Sequence, residues 1–145
     1  MQKNIVFGSD HAGYELKNDL QKDFLVQGYT CLDVGTYSLD STDYPNYAHA
    51  LSAMLLKNPY YLGVLICGSG NGIAMTANKH AHIRAALCWE VEIARLARLH
   101  NNANVLVLPA RFVSLEKAKE ILQAFLHTDF EGGRHEARVK KINLF

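Results

Sequence analysis

The sequence predicts an α/β protein built on a parallel β-sheet with helices on both faces. Five short apolar runs alternate along the chain with segments whose apolar residues recur at helical spacing. Strands that alternate with helical patterns of about 10–15 residues are typical of βαβ units, and their right-handed crossovers produce a parallel sheet. Ligands bind beyond the carboxyl ends of the strands in such sheets. The polar residues that stand out in this sequence follow strands, so the same pattern also predicts where a site lies.

The strands are predicted from short apolar runs that end in glycine, proline or polar residues. The polar segment 36–46, which has Pro45 near its end, is predicted as a loop that leads into a helix. The five predicted strands are residues 4–7, 30–34, 61–67, 83–88 and 105–108.

The helices are predicted from apolar spacing and from residues that favour helix ends. Leu16, Leu20 and Phe24 recur at four-residue spacing and indicate a first helix that ends near Gly28. Ser114 is a good N-cap for a helix that continues to residue 126. The other predicted helices are 47–56, one that begins near residue 73, 90–99, and a short one in the tail 131–138.

The composition indicates an ordinary globular protein and excludes several classes. The 145 residues suffice for one domain, spanning 1–145, with 49% apolar and 20% charged residues. A formal net charge of +1 argues against a general nucleic-acid binder, which carries a basic face. No apolar run approaches the ~20 residues of a membrane span. The chain enters a strand pattern directly at its N-terminus, so no signal peptide is expected.

Cysteine count and spacing predict a reducing compartment and no zinc site. The three cysteines are an odd number without close pairing, which suits free thiols in the cytoplasm. Neither Cys-x-x-Cys nor His-x-x-x-His spacing occurs, so zinc is not expected.

The third strand ends in Cys67 and continues into a glycine-rich loop, Cys67–Gly72. A strand, a glycine loop and the start of a helix aim several backbone N–H groups at one point, which suits an anion. The loop reads G-x-G-x-G, so it fails the G-x-G-x-x-G dinucleotide fingerprint, and it lacks the lysine of a P-loop. A ligand cradle and a purely structural turn are the two interpretations that remain.

Cys67 itself has two interpretations. A free cysteine is usually a small buried hydrophobe, which is what we expect of Cys31 and Cys88. At a strand end beside a helix start, positive potential lowers the pKa of a thiol, and Cys67 then becomes a base or a nucleophile.

Asp10 and His11 follow the first strand, between glycines, where either a solvated surface pair or an acid–base pair fits. His100 ends a helix, so it is either a C-cap that favours a cation or a proton shuttle. Arg134 and Arg138 are four residues apart and share one face of a helix, which is either a solvated edge or a phosphate clamp. The remaining histidines outside the tail are expected on the surface: His49, His80, His82 and His127.

Taken together, the sequence resembles the ribose-5-phosphate isomerase B family, which also includes galactose-6-phosphate isomerase subunits and allose-phosphate isomerases. The matching segments keep their order from one end of the chain to the other. They are Gly8-Ser9-Asp10-His11-Ala12-Gly13, Thr42-Asp43-Tyr44-Pro45, Cys67-Gly68-Ser69-Gly70-Asn71-Gly72, Ala77-Asn78-Lys79, His100-Asn101-Asn102-Ala103-Asn104 and Glu131-Gly132-Gly133-Arg134-His135.

The resemblance implies a Rossmann-like three-layer α/β/α fold with a five-stranded parallel sheet and a C-terminal helix. It implies a cytoplasmic enzyme of the pentose phosphate pathway that interconverts ribose 5-phosphate and ribulose 5-phosphate through an enediolate. No metal or organic cofactor is implied. The partners implied are the phosphorylated pentose and a second copy of the chain, in a homodimer or a dimer of dimers whose pocket lies between subunits, with neither nucleic acid nor membrane involved.

The same resemblance implies roles for individual residues. Cys67 is similar to the base that moves a proton between C1 and C2, His100 to the residue that helps open the furanose ring, and Asp10 lies beside the sugar. Some members lack this cysteine and carry a glutamate after the Gly-Asn-Gly, where this chain has Ile73. The implied substrate-binding residues are Asp10, His11, Tyr44, Gly68, Ser69, Gly70, Asn71, Gly72, Asn101, Arg111, Arg134 and Arg138.

Three other functions are consistent with the residues. A cysteine hydrolase would pair Cys67 with His100 as thiolate and imidazolium. A sensor of the same fold would bind a sugar phosphate without turning it over. An isomerase of a six-carbon sugar phosphate, allose or galactose 6-phosphate, would use the same set of residues.

Overall fold

The fold is a five-stranded parallel sheet between two layers of helices. The structure, a computed structural model, describes residues 4–143. The strands are β1 (Asn4–Ser9), β2 (Thr30–Asp33), β3 (Leu62–Cys67), β4 (Ala85–Leu87) and β5 (Val105–Pro109). The helices are α1 (Tyr14–Val26), α2 (Tyr44–Lys57), α3 (Asn71–Ala77), α4 (Val91–Asn101), α5 (Leu115–Leu126) and α6 (Arg134–Lys140), with a 3₁₀ turn at His11–Gly13. The predicted fold class is confirmed.

The order of the strands places a switch point at the centre of the sheet. The order is β2-β1-β3-β5-β4, and every pair is parallel. The chain leaves β1 toward one edge of the sheet and leaves β3 toward the other. In open parallel sheets a crevice forms beyond the carboxyl ends of the strands at such a reversal, and ligands bind in it. The residues that follow β1 and β3 therefore line this crevice.

The core consists of two apolar clusters, one on each face of the sheet. Because side chains alternate along a strand, Ile5 and Phe7 of β1 face the layer of α1, α4 and α5, while Val6 faces the layer of α2 and α3. Leu65 and Cys67 of β3 also face the α2 and α3 layer. The predicted strands read as continuous apolar runs because both of their faces are buried.

Helix boundaries differ from the sequence prediction by a few residues, and two of the differences, in α2 and α4, affect predicted site residues. α2 begins at Tyr44 rather than at residue 47, because Pro45 occupies its first turn, where the missing N–H of proline costs no helical hydrogen bond. α4 continues through Asn101 rather than ending at residue 99, and Asn102 ends it in the left-handed conformation with φ 47°. Tyr44 therefore lies on α2 and not in a loop, and His100 lies within the last turn of α4 rather than at its C-cap.

β4 is shorter than predicted, covering residues 85–87 of the expected 83–88. The N–H of Ile83 closes a turn onto the carbonyl of His80, and the N–H of Arg84 donates to the side chain of Asn104. These bonds replace strand pairing at the start of the apolar run. Ser114 caps α5 as predicted, and its Oγ accepts the N–H of Lys117 at 3.1 Å.

No helix within residues 4–143 is both long enough and apolar enough to span a bilayer.

Candidate active site

Asp10 lies at the mouth of the two central strands. Its N–H donates to the carbonyl of Ile66 at 3.3 Å, which ties the chain after β1 to the end of β3. The Asp10 side chain is buried, and its Oδ1 accepts the N–H groups of Ala12 at 2.9 Å and Gly13 at 3.2 Å. The carboxylate therefore has a fixed position in the crevice at the switch point.

The ring of His11 is oriented by the loop that follows β2. Its Nδ1 accepts the N–H of Thr42 at 3.1 Å. Because Nδ1 is the acceptor in this bond, a neutral His11 ring carries its proton on Nε2. The bond thus fixes the tautomer and makes Nε2 a donor suited to an anionic ligand.

Cys67 is the last residue of β3 and lies opposite Pro109 of β5. Its side chain is 5% exposed and packs in the cluster that contains Ile73 and Val107. The thiol therefore lies nearly out of water, directly before the glycine loop. This is a position from which a sulfur can reach a ligand held by the loop.

The glycine loop has a conformation that other residues would not adopt. Gly70 has φ 80°, and a Cβ on it would lie 2.4 Å from Cδ1 of Leu87. A Cβ on Gly72 would lie 2.4 Å from Cζ of Tyr44. The ring of Tyr44 therefore packs directly against the loop, which places this predicted residue beside Cys67–Gly72.

Arg111 also contacts the loop. Its N–H donates to the carbonyl of Gly68 at 3.0 Å, and its Nη1 lies 3.1 Å from where a Cβ of Gly68 would be. The guanidinium brings a positive charge to the loop, as an anion site requires. A cavity of about 410 Å³ opens beside this loop, lined by Ser69, Asn71, Leu87, Trp89, Glu90, Pro109 and Phe112.

These residues form one group at the carboxyl edge of the sheet, as the sequence predicted from the strand ends. We call it the carboxyl-edge group: Asp10, His11, Tyr44, Cys67–Gly72 and Arg111.

The other predicted site residues form a second group at the opposite edge. α4 runs back across the sheet, so its last turn lies near the amino ends of the strands. The carbonyl of Asn104, just after this turn, accepts the N–H of Gly63 in β3 at 2.9 Å. α6 packs against α4, and the N–H of Glu131 before it donates to the carbonyl of Leu99 at 3.1 Å. We call this the amino-edge group: His100, Asn101, Arg134 and Arg138.

The length of the strands separates the two groups. Gly63 pairs with Val105 at the amino edge, and Cys67 pairs with Pro109 at the carboxyl edge. Four residues of strand at about 3.3 Å each place these edges roughly 13 Å apart. One copy of the chain therefore does not bring Cys67 and His100 onto the same small substrate.

His100 belongs to a compact cluster of titratable side chains. Its ring stacks on that of His135, with centroids 4.2 Å apart and an interplanar angle of 14°. Oε2 of Glu131 lies 3.9 Å from Nε2 of His100 and 3.7 Å from Nε2 of His135. Burial, and then the charge of His100, lower the pKa of His135, while Glu131 acts in the opposite direction.

The chain matches one family model across nearly all of its length. The model is described as ribose/galactose isomerase and matches residues 5–142. The chain belongs to the ribose/galactose isomerase family. Membership in this family agrees with the resemblance on which the sequence analysis relied.

Relatives of this family are similar to the chain over their whole length. A ribose-5-phosphate isomerase B from Escherichia coli K12 is 44% identical over 140 residues, which are 97% of this chain and 94% of that one. The crystal structure of a ribose 5-phosphate isomerase from Thermotoga maritima is 46% identical, covers 100% of both chains and has a TM-score of 0.97. The enzyme from Mycoplasma genitalium, solved with bound ribulose 5-phosphate, is 40% identical, with a TM-score of 0.94 and coverage of 97% and 94%.

Glu131 and His135 were not assigned a role by the sequence analysis of this family member. Their four-residue spacing was visible, but His100 lies more than 30 positions earlier, so only the packing of α6 on α4 could reveal the cluster. The search for zinc-ligand spacing in the sequence missed this cluster for the same reason, because its residues are distant along the chain. In the structure His100, Glu131 and His135 offer ligand atoms within 4.8 Å of one another. Arg134 and Arg138 add positive charge beside the stacked rings, and this charge disfavours a cation there.

Two of the histidines expected on the surface are half-buried, which corrects that prediction. Nδ1 of His49 lies 2.7 Å from Nε2 of His80, and Nε2 of His82 lies 2.7 Å from the carbonyl oxygen of Ser52. These contacts join α2 to the turn after α3 and cover the rings of His80 and His82. His49 and His127 are exposed, as predicted.

Lys17 is a buried charge that sequence analysis also missed, because its helical position looks ordinary. Its Nζ lies 2.6 Å from Oδ1 of Asp33 and donates to the carbonyl of Thr36 at 2.5 Å. The side chain is fully buried. Lys17 therefore fixes the start of the loop that carries Thr42 to His11.

Proposed function

We propose that this chain is an aldose–ketose isomerase that interconverts ribose 5-phosphate and ribulose 5-phosphate. The observation that carries the proposal is full-length similarity, at 40–46% identity, to isomerases of this name, one of them solved with ribulose 5-phosphate. The geometry supports it, because a buried thiol adjoins a glycine loop flanked by a carboxylate and an arginine.

Ring opening is the first step, and it needs an acid and a base. The carboxylate of Asp10 takes the proton of the O1 hydroxyl, and C1 and O1 form a carbonyl. The bond between C1 and O4 breaks, its electron pair stays on O4, and His100 gives O4 a proton. Asp10 is held in place for this by its bonds to Ala12 and Gly13.

Isomerisation follows on the open chain. The thiolate of Cys67 removes the proton from C2, a double bond forms between C1 and C2, and O1 takes the negative charge. The proton of O2 moves to O1, and Cys67 returns its proton to C1, which leaves the carbonyl at C2. N–H groups of the loop at Gly68–Gly72 donate to the enediolate oxygens, where preorganised donors are each worth about 100- to 1000-fold in rate. The base, the acids and the enediolate donors are all groups of the protein, so the proposed mechanism is written without a metal or organic cofactor.

The phosphate is proposed to bind the arginines. Arg134 and Arg138 lie one turn apart on α6, Arg111 adds a third guanidinium, and Nε2 of His11 adds a donor. Guanidinium groups match the oxygens of a phosphate with paired N–H donors. Binding energy from the phosphate then holds C1 and C2 against Cys67.

A complete site is proposed to form between two copies of the chain. The carboxyl-edge group and the amino-edge group are roughly 13 Å apart in one copy, by strand length. An antiparallel pairing of two copies sets the carboxyl edge of one against the amino edge of the other. Trp89 and Phe112, 51% and 75% exposed beside the loop, offer apolar surface for such a contact.

The cytoplasm is the proposed location. All three cysteines are free, which fits a reducing compartment. The substrate is a phosphorylated metabolite, which is kept inside the cell by its charge.

A coupled assay with three sugar phosphates tests the function. Wild-type protein is expected to convert ribose 5-phosphate faster than allose 6-phosphate or galactose 6-phosphate. The six-carbon alternative stays open because the family description also names galactose, and faster turnover of a six-carbon substrate would support it instead.

The variant Cys67→Ala is expected to lose isomerisation while it still binds the substrate, because the base is removed and the arginines remain. Turnover near the wild-type rate in this variant would show that the base lies elsewhere. Lack of any turnover by wild-type protein, with binding retained, would instead indicate a sugar-phosphate sensor.

A further inference from the structure

The carboxylate of Glu131 lies between two imidazole rings, one of which is the proposed acid. Oε2 is 3.9 Å from Nε2 of His100 and 3.7 Å from Nε2 of His135, both within ion-pair distance. The same oxygen therefore faces the same nitrogen of two stacked rings. No step of the mechanism above uses Glu131 or His135.

The backbone holds Glu131 in this place. Its N–H donates to the carbonyl of Leu99, the residue before His100, at 3.1 Å. α6 begins three residues later and packs against α4. The Glu131 side chain is 56% exposed, so its carboxylate is in contact with water while it faces the two rings.

His135 is the neutral member of the pair. Its side chain is 6% exposed, and its Nε2 has no hydrogen-bond partner among the residues that the structure describes. Burial lowers the pKa of His135 most, the positive charges of His100, Arg134 and Arg138 lower it further, and Glu131 opposes them. A ring in these surroundings stays unprotonated near neutral pH and does not repel a proton on His100.

We propose that Glu131 and His135 are positioning residues, which hold a proton on Nε2 of His100 so that Nδ1 is the nitrogen that protonates the ring oxygen. A carboxylate beside one imidazole nitrogen fixes a proton there and directs the other nitrogen to the reacting atom. After Nδ1 gives its proton to O4, the ring is neutral, and Nδ1 takes up a new proton from solvent before the next turnover. The proposal rests on the function proposed above, in which His100 is the acid.

Glu131→Gln is the variant that tests this role, and Glu136→Gln is its matched control. Both remove one negative charge from exposed side chains near the start of α6. Glu136 pairs with Lys140 at 3.8 Å, whereas the ion-pair partner of His100 is Glu131. Both substitutions therefore change the net charge by the same amount, but only Glu131→Gln alters the cluster around His100.

Two substrates separate ring opening from proton transfer. Ribulose 5-phosphate cannot close a furanose ring, because its C5 oxygen carries the phosphate, so exchange of its C1 hydrogen with deuterium from solvent needs no ring opening. Ribose 5-phosphate enters as a ring and needs His100. Glu131→Gln is expected to lower kcat/KM for ribose 5-phosphate about fivefold, the size of a partly exposed ion pair, and to change the pH profile of this reaction. Exchange into ribulose 5-phosphate should stay within about twofold of wild type.

A shorter carboxylate and the control complete the experiment. Glu131→Asp should recover part of the loss, since the charge returns, and Glu136→Gln should match wild type in both assays. A pH profile for Glu131→Gln that coincides with that of Glu136→Gln would overturn the proposal. Equal slowing of both substrates would also overturn it, because a merely structural role affects both. Absence of both reactions in wild-type protein would refute the proposed function, and this result is distinct from the other two.

Discussion

The three cysteines show how strongly surroundings decide the chemistry of one residue type. Burial raises the pKa of Cys31 to about 11 and that of Cys88 to about 12, so both stay protonated thiols near neutral pH. Cys67 lies at a strand end before the glycine loop, in the crevice of the switch point. Cys67 was predicted to differ from the other two because a glycine loop and a helix start follow it, and the structure keeps Cys88 fully buried and Cys31 half-buried.

His100 is the residue whose removal best separates the two halves of the mechanism. His100→Asn is expected to lower kcat/KM for ribose 5-phosphate by about 100-fold or more, because general acid catalysis typically contributes about 10² to 10⁴. Deuterium exchange into ribulose 5-phosphate, measured by NMR, should persist, since that substrate needs no ring opening. Loss of both reactions to the same extent would remove His100 from ring opening and assign it to the proton-transfer step.

At the scale of elements, the glycine loop depends on one left-handed residue and one close approach. Gly70 has φ 80°, which an L side chain rarely adopts, and its missing Cβ leaves room for Leu87. Gly72 leaves room for the ring of Tyr44 on α2. The loop is therefore shaped by two neighbouring elements, and its N–H groups keep their direction only while both contacts hold.

Gly70→Ala tests this dependence, with Gly28→Ala as its control. Both glycines have positive φ, 80° and 95°, but a Cβ on Gly28 meets nothing within 4 Å. Gly28→Ala is expected to lower the free energy of unfolding by about 1 kcal/mol and to leave kcat unchanged. Gly70→Ala should lower it further and reduce kcat by about tenfold or more, since the donors to the enediolate move. Urea unfolding and steady-state kinetics measure both effects, and wild-type kcat in Gly70→Ala would refute the role of the loop.

Element boundaries were predicted to within a few residues where local chemistry decides them. Ser114 marks the start of α5 because its hydroxyl caps the helix whatever lies around it. The start of α2 was missed because Pro45 fits both a loop and the first turn of a helix. β4 was predicted too long because an apolar run does not show which of its N–H groups find a strand partner.

At the scale of the whole molecule, the predicted site residues lie at two opposite edges of the sheet. Asp10, Cys67 and Arg111 lie at the carboxyl edge, while His100 and the arginines of α6 lie at the amino edge. Each edge carries half of the chemistry of the proposed reaction. We propose that a second copy of the chain is the partner that completes it.

Mixing two inactive variants tests the shared site. If Cys67 and His100 of one site come from different copies, a Cys67→Ala and His100→Asn heterodimer has one site with both lesions and one with neither. Random exchange makes half of the dimers heterodimers, so an equal mixture should recover about one quarter of wild-type activity on ribose 5-phosphate.

The two variants are unfolded together and refolded together, and the activity of the mixture on ribose 5-phosphate is then measured. Cys67→Ala taken through the same steps alone is the control. Activity that remains at the level of the separate variants would show that each site lies within one copy. The mass of the native assembly, measured by native mass spectrometry, should be that of a dimer or of a multiple of a dimer.

The sequence by itself determined the α/β fold and the carboxyl-edge group, because both follow from local periodicity and from the rule that parallel strands end at one edge. Only the tertiary structure decided that His100 lies at the other edge and that Glu131 and His135 surround it. The reason is physical: α4 returns across the sheet, and α6 packs against it from a distant part of the chain. Residues far apart in sequence become neighbours through packing, and their spacing along the sequence does not reveal such contacts.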